Sequence, residues 1–111
     1  MKFSESLKKN SDFKNVYNGG ISKANRYLIL YIRKNELNIN RVGVSVSKKV
    51  GNSVVRHRLT RLIRESYRLN EDQFNSGLDL VVVVRNSAKG CSYGDIESAL
   101  MHLAKLHDIL N

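Results

Sequence analysis

Between Ser53 and Leu69 the chain is built to be buried on one side and charged on the other. Taking 100° per residue and setting Arg56 to zero, Leu69, Leu62, Val55, Leu59 and Ile63 fall between roughly 220° and 340°, whereas Arg64, His57, Arg68, Arg61 and Arg58 fall between roughly 80° and 200°. Asn52 or Ser53 supplies a side-chain oxygen for the free N–H groups at the helix start. Such a helix has one core face and one row of guanidinium groups. Its apolar half therefore requires a packed surface made by the rest of the chain, and its guanidinium half must stay outside that core.

The covering surface is legible as strands. Tyr27 to Ile32 is β-branched and aromatic and too short for a helix, so a strand is predicted from about Ala24 to Arg33, with Leu28, Leu30 and Ile32 on one side and Tyr27, Ile29 and Tyr31 on the other. Asn35 to Asn40 reads as a turn into a second strand, where Val42, Val44 and Val46 alternate with Gly43, Ser45 and Ser47. Leu78 to Arg85 is a nearly unbroken Leu/Val run, the pattern of a central strand covered on both sides. Two further helices complete the set. One spans about Ser11 to Tyr17, capped by Ser11 or Asp12 and stopped by Gly19-Gly20. The other starts at Ser92, with Asp95 completing a weaker capping box and Ile96, Ala99, Leu100, Leu103 and Leu110 on one stripe. At 111 residues this is one domain, 1–111, and helices packed on a small sheet make it α+β.

Charge points to the partner. Lys plus Arg number 19 against 10 Asp plus Glu, a net of +9. Within Arg41 to Arg68 eight cations face Glu65 alone, so +7 of the +9 is created by about a quarter of the chain. Most charged helix faces are merely solvated, but such faces interleave both signs, and this one is nearly all arginine. Guanidinium groups grip phosphate oxygens two at a time and stack on bases, so a nucleic acid is the simplest counter-charge. Cys91 is the only cysteine, which excludes an intrachain disulfide and a cysteine-rich zinc site. Met1 to Glu5 has no apolar core of signal-peptide length and the longest apolar run is far below about 20 residues, so a cytoplasmic setting without a membrane is expected.

Aromatic residues form a second constellation. Phe13 and Tyr17 are four apart on one helix face, and Tyr27 and Tyr31 share the non-core side of the predicted strand. Each ring alone could simply seal the core edge. Together, with Arg26 and Arg33 at the rim, they would line a groove of the kind that holds single-stranded nucleic acid. Catalytic groupings are weak by comparison. His102 and His107 are poorly spaced for one metal, with His107 reading as core-edge packing; His57 lies among arginines, Glu71-Asp72 follows a helix end, and Cys91 has no nucleophile context.

The run Arg41-Val-Gly-Val-Ser-Val-Ser-Lys-Lys-Val-Gly-Asn-Ser-Val-Val-Arg-His-Arg-Leu-Thr-Arg-Leu-Ile-Arg-Glu65 resembles the signature of the bacterial ribonuclease P protein component. The likeness extends upstream through Leu7 to Phe13, Val16-Tyr17, Gly20 and Ala24-Asn25-Arg26, and downstream through Asp79 to Arg85. The family's arginine-asparagine-arginine motif falls on Arg56, His57 and Arg58, with His57 departing from it, as does Thr60 where a lysine is usual.

The resemblance implies a two-layer α/β sandwich, ribosomal-protein-like, with a small mixed sheet in the order αβββαβα and a left-handed crossover, an exception to the usual hand. It adds one strand to the count above, a short strand or bent extension at Ile21 to Arg26. It also implies an endonuclease whose catalyst is a large RNA requiring Mg2+ held mainly by that RNA, with no cofactor intrinsic to this chain. The protein would be monomeric, 1:1 with the RNA, and would bind it and the 5′ leader of precursor tRNA. By position, Ser47, Lys48, Lys49, Gly51, Asn52, Arg56, His57, Arg58, Arg61, Arg64 and Arg68 correspond to the catalytic-RNA surface, and Phe13, Tyr17 and Tyr31 to the leader cleft. A ribosomal-type RNA-binding protein is the main alternative, since it can share both charge and fold. A helix-turn-helix regulator fits less well, because a sheet occupies the place of its helices.

Overall fold

The computed structural model describes residues 4–111. Five strands form one mixed sheet: β1 (Ser4–Ser6), β2 (Ile21–Ala24), β3 (Leu28–Lys34), β4 (Asn40–Ser45) and β5 (Leu78–Val84), with helices α1 (Asn10–Gly19), α2 (Ser53–Asn70) and α3 (Tyr93–Leu106). Across the sheet the order is β1-β4-β5-β3-β2. β1, β4 and β5 run parallel to their neighbours in that group, and β3 is antiparallel to both β5 and β2. The order αβββαβα is thus present from α1 onward, preceded by the short β1, and β4 and β5 are parallel neighbours joined through α2.

The Leu/Val run takes the centre because both of its faces are covered. Leu80, Val82 and Val84 join Leu28, Leu30 and Val42 in the main core, closed by Leu59, Ile63 and Tyr67 of α2 and Ile96, Leu100 and Leu103 of α3. Val81 points to the opposite side, where Leu7 and Val16 form a smaller core under α1 with Phe13, Tyr31 and Val83 at its margin. α3 starts on a complete capping box: Ser92 Oγ accepts from the Asp95 N–H (3.2 Å) and Asp95 Oδ2 from the Ser92 N–H (3.1 Å).

Several boundaries differ from the sequence expectation for identifiable reasons. Ala24 to Arg33 is not one strand, because Asn25 Oδ1 accepts from the N–H groups of Tyr27 (3.2 Å) and Leu28 (3.0 Å) and turns the chain into a β2–β3 hairpin. Tyr27 therefore precedes β3, escapes its alternation and packs against the main core. α1 begins earlier, with Lys9 at the cap position making no side-chain bond, so Ser11 and Asp12 lie inside the first turn. The core meridian of α2 runs through Leu59, Ile63, Ser66 and Tyr67, which leaves Leu62 half-buried and Leu69 54 % exposed rather than in the core. Leu110 lies beyond α3 and pairs by an isolated bridge with Phe74.

Candidate nucleic-acid interface

The arginines of α2 do not present one uniform charge. Arg58 Nη2 donates to the Cys91 carbonyl at 2.7 Å, and Arg64 Nη1 donates to Ser6 Oγ at 2.9 Å. Arg68 grips Glu65 through both Nε and Nη2, and this guanidinium holds the Glu65 carboxyl below the usual carboxylate range, so the two side chains form a neutral unit at pH 7. Arg61 and His57 are exposed and take no side-chain partner among the described residues. Arg56 sits apart, near the core meridian, and its Nε is buried without a hydrogen bond among the described residues. A shallow groove runs along this face past Ser53, His57, Arg58, Arg61, Arg64 and Arg68.

The connection from β4 to α2 extends the basic surface. Ser47, Lys48 and Lys49 are exposed in a turn closed by the Val50 N–H donating to the Ser47 carbonyl (3.1 Å), while Val50 is buried and anchors it. Asn52 Oδ1 accepts from the Val55 N–H at 3.0 Å and fixes where α2 begins, next to Gly51.

On the α1 side of the sheet the aromatic group is real but smaller than the sequence suggests. Phe13 and Tyr17 have ring centroids 6.4 Å apart, and Tyr17 meets Tyr31 edge-on at 4.9 Å and 74°. Asn10, Phe13, Lys14 and Tyr17 of α1 face Val44, Ser45 and Val46 across an open cleft. Gly43 makes this packing possible, since a Cβ there would lie 2.6 Å from Phe13 Cζ. Arg33 passes beside Gly19 at the end of α1. Tyr27 and Arg26 do not join the group: Arg26 stacks over the Tyr27 ring at 5.2 Å in the β2–β3 turn.

Sheet register arranges the charges beneath α1. Glu5, Arg41, Asp79 and Arg33 are successive register partners on β1, β4, β5 and β3, an alternating row. Arg41 donates through Nε and Nη2 to Asp79 Oδ1 and Oδ2 at 2.8 and 2.7 Å, and its Nη1 lies 3.8 Å from Asp12 of α1. Burial alone would raise the Asp79 pKa, but the hydrogen bonds from Arg41 and Asn35 outweigh it and hold the carboxyl below its ordinary value. Arg41 is thus spent inside the protein, although the sequence counts it with the basic surface.

Ser6, Gly43 and Asp12 position this surface, a role the sequence assigns to none of them: there Gly43 stands only as the small residue opposite the core side of β4, and Asp12 only as a possible helix cap. His107 Nε2 hydrogen-bonds the Leu30 carbonyl at 2.8 Å and packs at the core edge, and burial holds its pKa down. His102 Nδ1 lies 3.2 Å from Asn25 Nδ2. Among the described residues no three His, Cys, Asp or Glu side chains cluster as a metal site, and no helix is long and apolar enough to cross a membrane.

Comparison with known proteins names the family. The family model Ribonuclease P matches residues 1–107. A ribonuclease P protein component from Lachnoclostridium phytofermentans is 66% identical over 108 residues, covering 97% of this chain and 93% of the relative. The ribonuclease P protein structure from Staphylococcus aureus superposes with a TM-score of 0.88 at 36% identity, over 96% of this chain and 97% of that one. That from Thermotoga maritima gives 0.85 at 29%, over 92% and 96%. With its fold, its basic helix and its full-length similarity in agreement, the chain belongs to the bacterial ribonuclease P protein component family, the protein subunit of the enzyme that processes the 5′ end of precursor tRNA.

Proposed function

We propose that the two faces of this subunit divide the work of the holoenzyme. The α2 arginine row and the Ser47-Lys48-Lys49 turn, with Gly51 and Asn52 setting its junction to the helix, bind the catalytic RNA. The cleft of Phe13, Tyr17 and Tyr31, with Arg33 at its margin, binds the single-stranded 5′ leader of precursor tRNA. The observation that carries the reading is that Arg61 and His57 have no side-chain partner among the described residues, in a groove otherwise rimmed by guanidinium groups, on a helix whose own carboxylate is hydrogen-bonded to Arg68. Phosphate oxygens complete such a surface with charge-assisted hydrogen bonds. Arg26 and Tyr27 stand apart from the leader cleft, stacked on each other in the β2–β3 turn, and are left out of this assignment.

In this reading the chain positions substrate and the RNA cleaves it. Magnesium supports the hydrolysis from sites on the RNA. This chain's contribution is binding and orientation in a 1:1 complex, a role supported by its exposed cationic groove and its open aromatic cleft. The leader exists only in the precursor, so contacts to it favour precursor over mature tRNA and vanish on cleavage.

The test is reconstitution with the catalytic RNA. Stacking of one base on an aromatic ring is worth about 1–3 kcal/mol, so Phe13→Ala or Tyr31→Ala weakens precursor binding about 5- to 150-fold while mature tRNA binding and RNA assembly hold. Equal losses for precursor and mature tRNA in a folded variant would assign these rings to the core alone.

A further inference from the structure

α2 carries more apolar surface than the core uses. Val54 is 75 % exposed in the first turn, Leu62 is half-buried, and both line the groove whose rim is Arg58, Arg61 and Arg64. Positions 54, 58 and 62 are spaced i, i+4, i+8, so the two aliphatic side chains flank Arg58 along one strip. Arg58 is drawn toward the Cys91 carbonyl, which keeps its head group at the α3 side of the strip. A single exposed valine is ordinary. An aliphatic strip inside the densest cationic surface of the protein is different, because desolvating it requires a ligand that is both a polyanion and apolar in part.

We infer that Val54 and Leu62 form an apolar floor that receives the nucleoside surface of RNA, a ribose or an unstacked base face, while the surrounding arginines take the phosphates. The inference rests on the assignment of this face to the catalytic RNA and deepens it. Charge complementarity selects a polyanion, and the aliphatic floor selects RNA over a bare phosphate chain or an acidic peptide. Its signature is separable from that of the arginines. Phosphate contacts release counterions and steepen the dependence of affinity on salt, whereas apolar contact adds affinity that is the same at every salt concentration.

The experiment measures binding of the full chain to its in vitro transcribed ribonuclease P RNA across a salt series, with long-chain inorganic polyphosphate as a second probe. Val, Ser and Thr have similar helix propensities, so Val54→Ser and Val54→Thr leave this exposed turn folded. Val54→Ser weakens RNA binding about 3- to 10-fold at every salt concentration, giving a parallel line, and leaves polyphosphate binding unchanged. Leu37→Ser removes comparable exposed apolar surface in the β3–β4 turn and changes neither. Arg61→Ala weakens both probes and flattens both lines. Unchanged RNA affinity for Val54→Ser beside a responsive Arg61→Ala overturns the floor alone. An equal loss for RNA and polyphosphate, or an altered slope, also overturns it, because the valine would then act by arranging cations. If Arg61→Ala is silent as well, the assignment of the whole face to RNA fails with it.

Discussion

The pairing of Arg68 with Glu65 makes the salt dependence of RNA binding a readout of individual arginines. Each cation that neutralises a phosphate adds about 0.7 to 0.9 to the magnitude of the slope of log affinity against log salt. Arg61 is exposed and unpartnered among the described residues, so Arg61→Ala should remove one full increment. Over a fourfold rise in salt, one such increment corresponds to roughly a threefold difference in affinity. Arg68 already has its counter-charge, so Arg68→Ala should remove well under half as much. Glu65→Gln leaves the guanidinium without that carboxylate and should steepen the slope by up to about 0.9 while tightening binding at low salt. All three positions are surface sites, where substitutions typically move stability by no more than about 0.5 kcal/mol, so folding does not confound the comparison. Filter binding or fluorescence anisotropy with the catalytic RNA at four or more salt concentrations gives the slopes. Identical slope losses for Arg61→Ala and Arg68→Ala, with Glu65→Gln silent, would show that the ion pair opens on binding and that its neutrality in the free protein is irrelevant. No change in any variant would mean a solvated face.

Two other outcomes follow from the α1 side of the sheet. Gly43→Ala places a Cβ 2.6 Å from Phe13 Cζ and 3.2 Å from Leu7 Cβ, so it should cost about 1–3 kcal/mol in denaturant unfolding and reproduce the precursor-binding defect of Phe13→Ala; wild-type precursor preference would show that Phe13 can shift without consequence. The Asp79 carboxyl has its pKa lowered on folding, so its contribution to stability is complete above the unfolded value of about 3.9 and is lost as pH falls through the folded value. Arg41→Ala should cost about 3 kcal/mol at neutral pH, the lower end for stranding a buried charge because Arg41 is itself 27 % exposed, and should flatten the loss of stability in acid; an unchanged acid-unfolding profile by circular dichroism would remove the ion pair from the account.

The elements legible in the sequence are those whose own periodicity is long. α2 and β5 declare themselves because eighteen and seven residues repeat one pattern without interruption. β1 does not, since Ser4-Glu5-Ser6 has no apolar alternation and is held by tertiary contacts: the parallel edge of β4 and hydrogen bonds of Ser6 with Arg64 and of Ser4 with Tyr67. The β2–β3 hairpin is hidden by one side chain, Asn25, whose carbonyl oxygen replaces a turn signal based on glycine or proline. The same limit applies to the sites. The basic face follows from composition, but which of its cations are free depends on Glu65, Ser6, Cys91 and Asp79, partners chosen by tertiary structure. Tyr27 shares an odd register with Tyr31 on paper and loses it when the strand breaks. A helical wheel shows that Leu62 and Leu69 are apolar; it does not show that Tyr67, 40° past Ile63, draws the core meridian away from them.

The strand at the centre of the sheet is the last one to be synthesised. β1 with β4, and β3 with β2, are separate pieces until β5 enters between β4 and β3, because neither piece hydrogen-bonds the other. α2 is made before β5 and before α3, so a nascent chain ending near residue 75 carries the arginine helix with its apolar side largely uncovered. Cooperative folding must then await the final third of the chain, and the price of this topology is a late window in which exposed Leu59 and Ile63 can aggregate.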